Sequence, residues 1–446
     1  MALTREQSQM RVPVTLETSV KALIRKSSGR LLVLALVLAS AVAGSGCSAF
    51  ETPEVRPCSW LNRIADAATR EGTENLSHTV ALVDRSPSTR PSAATGAGAR
   101  TPDTAGTLLA ARGLAPGELE GGLLSVAAFD GTRATVDWDV DRVAITAVQG
   151  NDTLREDRRN ARRECLEKRL RQVSTGEPGT GRTDVLGALA SAADQLGSGD
   201  GDRRIVMVTD GLTNTGCADL RSLGFDGTGE IKATVDRCRT AGELPDLRGT
   251  EVSILGVARS ARGKAPSSPQ TAWLTALWTQ LCEATRAATC HVAATARTHA
   301  AERDGETGTD EPEVTFPAVS ERPKGRVTTI TLPGSVLFAT DRSELSSEAR
   351  KTLDDAARRI RELDPVSVAV SGHTDSRGSA QRGRQLSLAR AQAVRSALTE
   401  RGITVDSARG YSDDRPNCAP EYHDGVPDYA AMACNRRVEI AVTVRG

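Results

Sequence analysis

From His78 onward, short apolar runs alternate with longer amphipathic stretches, and that alternation predicts a succession of strands and helices. Strands are expected over His78 to Val83, Leu123 to Phe129, Arg133 to Trp138, Arg204 to Thr209, Glu251 to Val257 and Cys290 to Ala294. Helices are expected over Ser59 to Thr69, Arg155 to Arg171, Asp184 to Leu196, Ile231 to Thr240 and Thr271 to Arg286. The strand runs carry apolar residues at consecutive positions, as strands covered on both faces do. Residues 77–297 are therefore expected to form a doubly wound α/β sheet. The stretch Arg90 to Gly106 is rich in Ala, Gly, Pro, Ser and Thr without periodicity, and reads as a surface loop.

From residue 298 to residue 325 the chain turns charged and rich in Pro and Gly, with Asp310-Glu311-Pro312-Glu313 and Arg322-Pro323-Lys324-Gly325, and reads as a linker. Residues 326–446 then predict a smaller α/β sandwich. Its strands are Val327 to Leu332, Val336 to Phe338, Val366 to Ser371 and Arg437 to Val444; its helices are Ser346 to Leu363 and Gln385 to Arg401. Ser346 and Ser347 supply capping hydroxyls, and Pro365 stops the helix before it because proline disfavours helical geometry in the preceding residue. A chain of 446 residues is long enough for two such domains.

The amino-terminal residues decide the expected compartment. Lys21, Arg25, Lys26 and Arg30 precede the apolar run Leu31 to Ala43, and Gly44-Ser45-Gly46-Cys47 follows. This reads as a signal peptide over residues 1–47 with a short tether over 48–76. Its end resembles the lipobox of bacterial lipoproteins, which implies a lipidated Cys47 and a membrane anchor. An uncleaved membrane span over Leu31 to Phe50, or plain secretion, would equally put the body outside the cytoplasm. Lys+Arg and Asp+Glu are both 57, so no net charge draws the protein to nucleic acid. Without Cys47 the other eight cysteines are even in number, which in an exported protein favours disulfides. Cys418 and Cys434 are expected to pair, being the two cysteines of the C-terminal domain.

Two groups of side chains carry candidate chemistry. Asp84, Ser86 and Ser88 alternate after a strand, Thr183 precedes a helix, and Asp210 follows another strand. These five donors offer only oxygen, which suits Mg²⁺, Ca²⁺ or Mn²⁺, and they leave a coordination position open. The order Asp-x-Ser-x-Ser, Gly-x-Thr and Val-Thr-Asp-Gly resembles the metal-ion-dependent adhesion site of von Willebrand factor A domains. That resemblance implies a Rossmann-like fold and a binding module in which Ser86, Ser88 and Thr183 approach the ion directly, Asp84 and Asp210 act directly or through water, and a partner carboxylate fills the open position.

In the C-terminal domain, Ser371-Gly372-His373-Thr374-Asp375-Ser376-Arg377-Gly378 follows a strand and Arg390 lies on the next helix. Asp375 and Arg390 are expected in one cleft, able to take the ammonium and the carboxylate of an amino-acid group. This segment, with Asn435-Arg436-Arg437-Val438-Glu439-Ile440 after it, resembles the OmpA-like C-terminal domain, which implies binding to the diaminopimelate stem peptide of peptidoglycan, with Thr374 and Arg436 nearby. Gly383 stands where that family usually places an asparagine. His373 is expected to pack rather than to act as a base, since no nucleophile or carboxylate is foreseen beside it.

The expected function is that of a non-enzymatic lipoprotein of the cell envelope. It would bind peptidoglycan through one domain and a protein or glycan through a divalent cation on the other. A membrane-anchored, stator-like or transport component is the alternative, although Leu31 to Phe50 lacks an intramembrane acid. A wall hydrolase is disfavoured, because no catalytic triad, carboxylate pair or HExxH motif stands out.

Overall fold

Consecutive apolar residues bury β1 (His78–Asp84) and β2 (Leu123–Phe129) along their whole length. The computed structural model describes residues 58–62, 75–90, 100–262, 265–300, 311–339, 341–347 and 349–445, so the expected signal peptide and Cys47 lie outside the described residues. β3 (Asp137–Ala144), β4 (Arg203–Val208), β5 (Thr250–Leu255) and β6 (Thr289–Ala293) complete a sheet ordered β3-β2-β1-β4-β5-β6. All neighbours run parallel except β3, which lies antiparallel to β2 at the edge.

Helices cover both faces. On one, Val80, Leu82, Phe129, Met207 and Ile254 of the strands pack with Leu189, Ile231, Leu274 and Trp278. Those side chains come from α3 (Val185–Leu196), α4 (Thr228–Ala241) and α5 (Ser268–Ala284). On the other, Ala81, Val83, Val126 and Val208 pack with Leu108 of α1 (Thr104–Ala110) and with Leu166 and Leu170 of α2 (Asp152–Thr175).

The second sheet is built from β7 (Ser320–Lys324), β8 (Val327–Pro333), β9 (Pro365–Gly372), β10 (Ser407–Gly410) and β11 (Arg437–Val444), in the order β10-β9-β11-β8-β7. Only β9 and β10 are parallel. In β8 burial alternates residue by residue, with Thr328, Ile330 and Leu332 turned inward. That face is covered by Leu353 and Ile360 of α6 (Ala349–Glu362) and by Val394 and Leu398 of α7 (Ala380–Glu400). Both sheets belong to one unit spanning Val55–Gly446.

Several expected elements are corrected. The strand read over Arg133 to Trp138 starts at Asp137, because Thr132 and Thr135 cap a 3-10 turn over Arg133–Thr135. The helix expected over Ser59 to Thr69 is a 3-10 turn over Ser59–Asn62 where it is described. The loop ending at Gly106 contains a strand, Arg100–Pro102, and the start of α1, whose cap is the Asp103 carboxylate accepting the Gly106 N–H at 2.9 Å. Residues 298–325 are more than a linker: Thr298–Ala300 pairs with Arg100–Pro102, and β7 joins the second sheet. Val336 to Phe338 is not a strand, since Pro333 starts the short helix Gly334–Leu337.

The expected Cys418–Cys434 pair is present, with Cys58–Cys165, Cys217–Cys238 and Cys282–Cys290 beside it. Among the described residues, no helix is long and apolar enough to cross a membrane. Non-reducing digestion with mass spectrometry is expected to recover these four linkages; a bridge between Cys282 and Cys418 would contradict the arrangement.

Candidate functional site

The first cluster of polar side chains stands at the carboxyl ends of β1 and β4, where the strand order reverses and open α/β sheets leave a crevice. Asp84 ends β1, Ser86 and Ser88 occupy the turn after it, and Thr209 and Asp210 follow β4. Both oxygens of Asp84 are fixed: the Ser86 N–H donates to Oδ1 at 2.9 Å and the Thr209 hydroxyl donates to Oδ2 at 2.6 Å. The Ser86 and Ser88 hydroxyls lie 3.0 Å apart, and Ser88 stands beside Asp210. Thr183 is drawn in by Asn214, whose side-chain oxygen accepts the Thr183 N–H at 2.9 Å. Asp130 shapes the approach to it, since its carboxylate accepts N–H groups of Gly131 at 2.6 Å, Gly179 at 2.5 Å and Thr180 at 3.0 Å. Thr183 reaches the other four donors named from the sequence through a shared neighbour, Glu311, which also accepts from the Ser88 N–H and feels the Asp84 charge.

A sixth group joins them. The Thr183 hydroxyl donates to Glu311 Oε1 at 2.7 Å, and Asn214 Nδ2 donates to the same oxygen at 3.1 Å and to the Pro312 carbonyl at 3.3 Å. Burial, then the charge of Asp210, pushes the Asp84 carboxyl up to about 7. Burial also lifts Asp210 to about 6, with the Glu311 charge adding, and Glu311 to about 7, with the Asp84 charge adding. Asp210 Oδ2 is buried and receives no hydrogen bond. An oxygen-only set with a buried, unpartnered carboxylate oxygen fits a hard divalent cation. Among the described residues no three His, Cys, Asp or Glu side chains form a metal-holding group by themselves. The hydroxyls of Ser86, Ser88 and Thr183 would therefore have to share the coordination.

The second cluster gathers at the carboxyl end of β9. α7 lies hard against the sheet because two glycines leave room: a Cβ on Gly372 would stand 2.0 Å from the Ser387 carbonyl oxygen, and one on Gly410 2.4 Å from the Leu388 nitrogen. On that helix Arg390 is buried, its Nε donating to the Arg342 carbonyl at 2.9 Å and its guanidinium lying 5.0 Å from the Phe338 ring centre, within range of the charges of Asp226, Arg436 and Asp375. Arg436, between the short helix α8 (Tyr429–Asn435) and β11, donates Nη1 to Asp375 Oδ2 at 2.5 Å. Arg377 donates to the same oxygen through Nη2 at 2.7 Å and Nε at 3.0 Å. Burial opposes ionisation of Asp375, but the Arg377 hydrogen bond and the Arg436 charge hold its carboxyl below the usual range. Burial pulls the pKa of Arg390 down. A doubly paired carboxylate beside two buried guanidinium groups has charges complementary to an ammonium and a carboxylate.

Residues 337–419 match the OmpA family. The C-terminal domain is OmpA-like. The match contains Thr374, Asp375 and Arg390, while Arg436 lies beyond it. The chain is 38% identical over 120 residues to outer membrane protein A of Serratia odorifera, covering 25% of this chain and 49% of that protein. It is 34% identical over 119 residues to outer membrane protein P5 of Haemophilus influenzae, covering 26% of this chain and 34% of that protein. The chain therefore spans half or less of the length of these curated relatives. Among solved structures, the cell wall anchor of the T6SS from Pseudomonas aeruginosa is similar at 29% identity with a TM-score of 0.25, covering 28% of this chain and 88% of that one.

The cleft of the OmpA-like domain is not open. Thr374, Asp375, Arg390 and Arg436 are exposed by only 7%, 6%, 3% and 6%. Asp226, from the loop ahead of α4, stands in it: Arg436 Nε donates to Asp226 Oδ2 at 2.6 Å. The partners of Asp375 are Arg377 and Arg436 rather than Arg390. His373 does have a carboxylate beside it, Glu439 at 3.6 Å, but it is buried and stacked on Tyr411 with ring centres 5.6 Å apart, as a packing residue would be. The Thr374 hydroxyl is buried without a partner, and Gly383 faces it where a side chain would come within 3.2 Å. Sequence reading missed Glu311, Asp226, Asn214 and Arg377. Arg377 and Asn214 lie close to the motifs and could have been found there; Glu311 and Asp226 carry no local signal.

Glu230, in the first turn of α4, holds the Asp226 loop by accepting the N–H of Gly224 at 2.7 Å and of Asp226 at 3.3 Å. Burial pushes its carboxyl from 4.5 up to about 7. An acid whose pKa is higher in the folded than in the unfolded state stabilises the fold fully below 4.5 and ceases to do so as pH rises through about 7. Denaturant titrations of the wild type are expected to show this loss, on the order of 3 kcal/mol. Glu230→Gln should flatten the profile; an unchanged slope would refute the assignment.

Proposed function

We propose that this chain is a non-enzymatic, lipid-anchored protein of the cell envelope that binds peptidoglycan with its OmpA-like domain and a protein or glycan partner with its N-terminal domain. The observation that carries the first part is the convergence of Thr374, Asp375, Arg390 and Arg436 at one strand end, three of them inside the OmpA-matching residues. Their charges suit the diaminopimelate group of a stem peptide, which presents an ammonium and a carboxylate on one carbon. Outer-membrane relatives support an envelope location. Wall-binding assays on insoluble peptidoglycan should lose retention with Arg390→Ala or Asp375→Ala while the thermal unfolding midpoint of Asp375→Ala stays within a few degrees of wild type; retention at the wild-type level would sink the cleft.

The N-terminal domain we read as a von Willebrand factor A domain with a metal-ion-dependent adhesion site. The strand order β3-β2-β1-β4-β5-β6 and the meeting of Asp84, Ser86, Ser88, Thr183 and Asp210 support this reading. A bound Mg²⁺, Ca²⁺ or Mn²⁺ would supply a positive centre for a partner carboxylate. Thr183 and Asn214 already hold one carboxylate there, that of Glu311, so a partner would exchange with a residue of this same chain. Calorimetric titration with Mg²⁺ or Mn²⁺ is expected to give a signal that Asp84→Ala or Asp210→Ala abolishes. An unchanged titration would remove the cation site.

A further inference from the structure

The loop that closes the OmpA-like cleft is built for that place from both sides. From the N-terminal domain, Trp273 Nε1 donates to the Gly227 carbonyl at 3.0 Å, Phe225 is buried edge-on against Trp273 with ring centres 5.3 Å apart, and Glu230 receives the Gly224 and Asp226 N–H groups. Toward the OmpA-like domain, Gly224 lies where a Cβ would stand 2.2 Å from Ala433 Cβ and 2.8 Å from the Tyr429 carbonyl oxygen. The Tyr429 hydroxyl donates to the Gly229 carbonyl at 3.3 Å, and the Gly227 position, at φ +96°, would bring a side chain within 3.6 Å of Arg377. Only a glycine at 224 allows this approach, while at 227 the positive φ is what favours one.

At the centre of this contact Asp226 offers a carboxylate to Arg436 through Oδ2 at 2.6 Å and its backbone carbonyl to Arg436 Nη2 at 3.4 Å. Its charge also acts on Arg390. The groups Asp226 engages are the ones a ligand carboxylate would need. Arg436 keeps Asp375 as a second partner, so withdrawal of Asp226 would not leave an unpaired buried cation, the outcome that makes breaking such pairs costly.

We propose that Asp226 is a resident carboxylate that holds the OmpA-like cleft closed, and that a ligand carboxylate binds by displacing it together with the 224–229 loop. This rests on the reading of the cleft as a wall-binding site. It makes wall binding conditional on the N-terminal domain: whatever draws the 224–229 loop away opens the cleft. When the competent state is a minor one, apparent affinity falls by its fractional population, so freeing the cleft raises affinity by the same factor.

The experiment compares binding of the full chain to insoluble peptidoglycan for wild type, Asp226→Ala, Tyr429→Phe and Arg390→Ala, with thermal unfolding of each to establish folding. Asp226→Ala is expected to bind about tenfold tighter or more, and Tyr429→Phe, which removes a contact outside the cleft, to shift the same way by a smaller factor. Hydrogen exchange over residues 224–229 should rise when soluble diaminopimelate-containing muropeptide is added. If wild type binds and Arg390→Ala does not, but Asp226→Ala and Tyr429→Phe bind no tighter, the closed-state proposal is overturned and the cleft stands. If binding is indifferent to Arg390→Ala, the cleft reading itself fails.

Discussion

Arg436 is almost wholly withdrawn from water, and an isolated guanidinium there would lose several kcal/mol of hydration. Asp375 on one side and Asp226 on the other offset that cost, and because they come from loops of different domains they also fix where the OmpA-like domain meets the loop ahead of α4. The direction of each shift follows. Burial opposes the charge of Arg436, but the two carboxylates outweigh it and raise its pKa, and Arg436 in turn helps hold the carboxyl of Asp375 low.

The crevice at β1 and β4 has the opposite balance. Asp84, Asp210 and Glu311 meet there, and each finds its proton harder to lose because burial and a neighbouring carboxyl disfavour the charge. The same chain solves the burial of acids in two ways. In the OmpA-like cleft an arginine is part of the fold; in the crevice hydroxyls and backbone N–H groups meet the carboxyls instead. In both places a carboxylate distant in sequence completes the cluster, Glu311 on Thr183 and Asp226 on Arg436.

The central strands were legible because uninterrupted apolar runs have one good solution, a strand with helices over both faces, and the ends of those strands then located Asp84 and Asp210. β3 was misplaced by four residues at its start because Asp137, Asp139 and Asp141 alternate along an edge whose outer face meets water, which weakens any apolar signal. β7, Ser-Glu-Arg-Pro-Lys, has none at all: every residue is exposed, and pairing with β8 alone makes it a strand. Thr374, Asp375 and Arg390 could be read because the strand-loop-helix pattern keeps them near one another. Glu311 lies 128 positions from Thr183, and Asp226 lies 210 from Arg436, so no local pattern could have joined them. What those distant carboxylates do, fill each site from within, is a property of tertiary packing.

β11 follows every other strand of its sheet in sequence yet lies between β9 and β8. Until it is in place those two strands share no partner, and each presents unpaired backbone groups to whatever it meets. The sheet of the OmpA-like domain is therefore closed only by the strand that comes last among its five, so its folding depends on contacts between residues far apart in sequence.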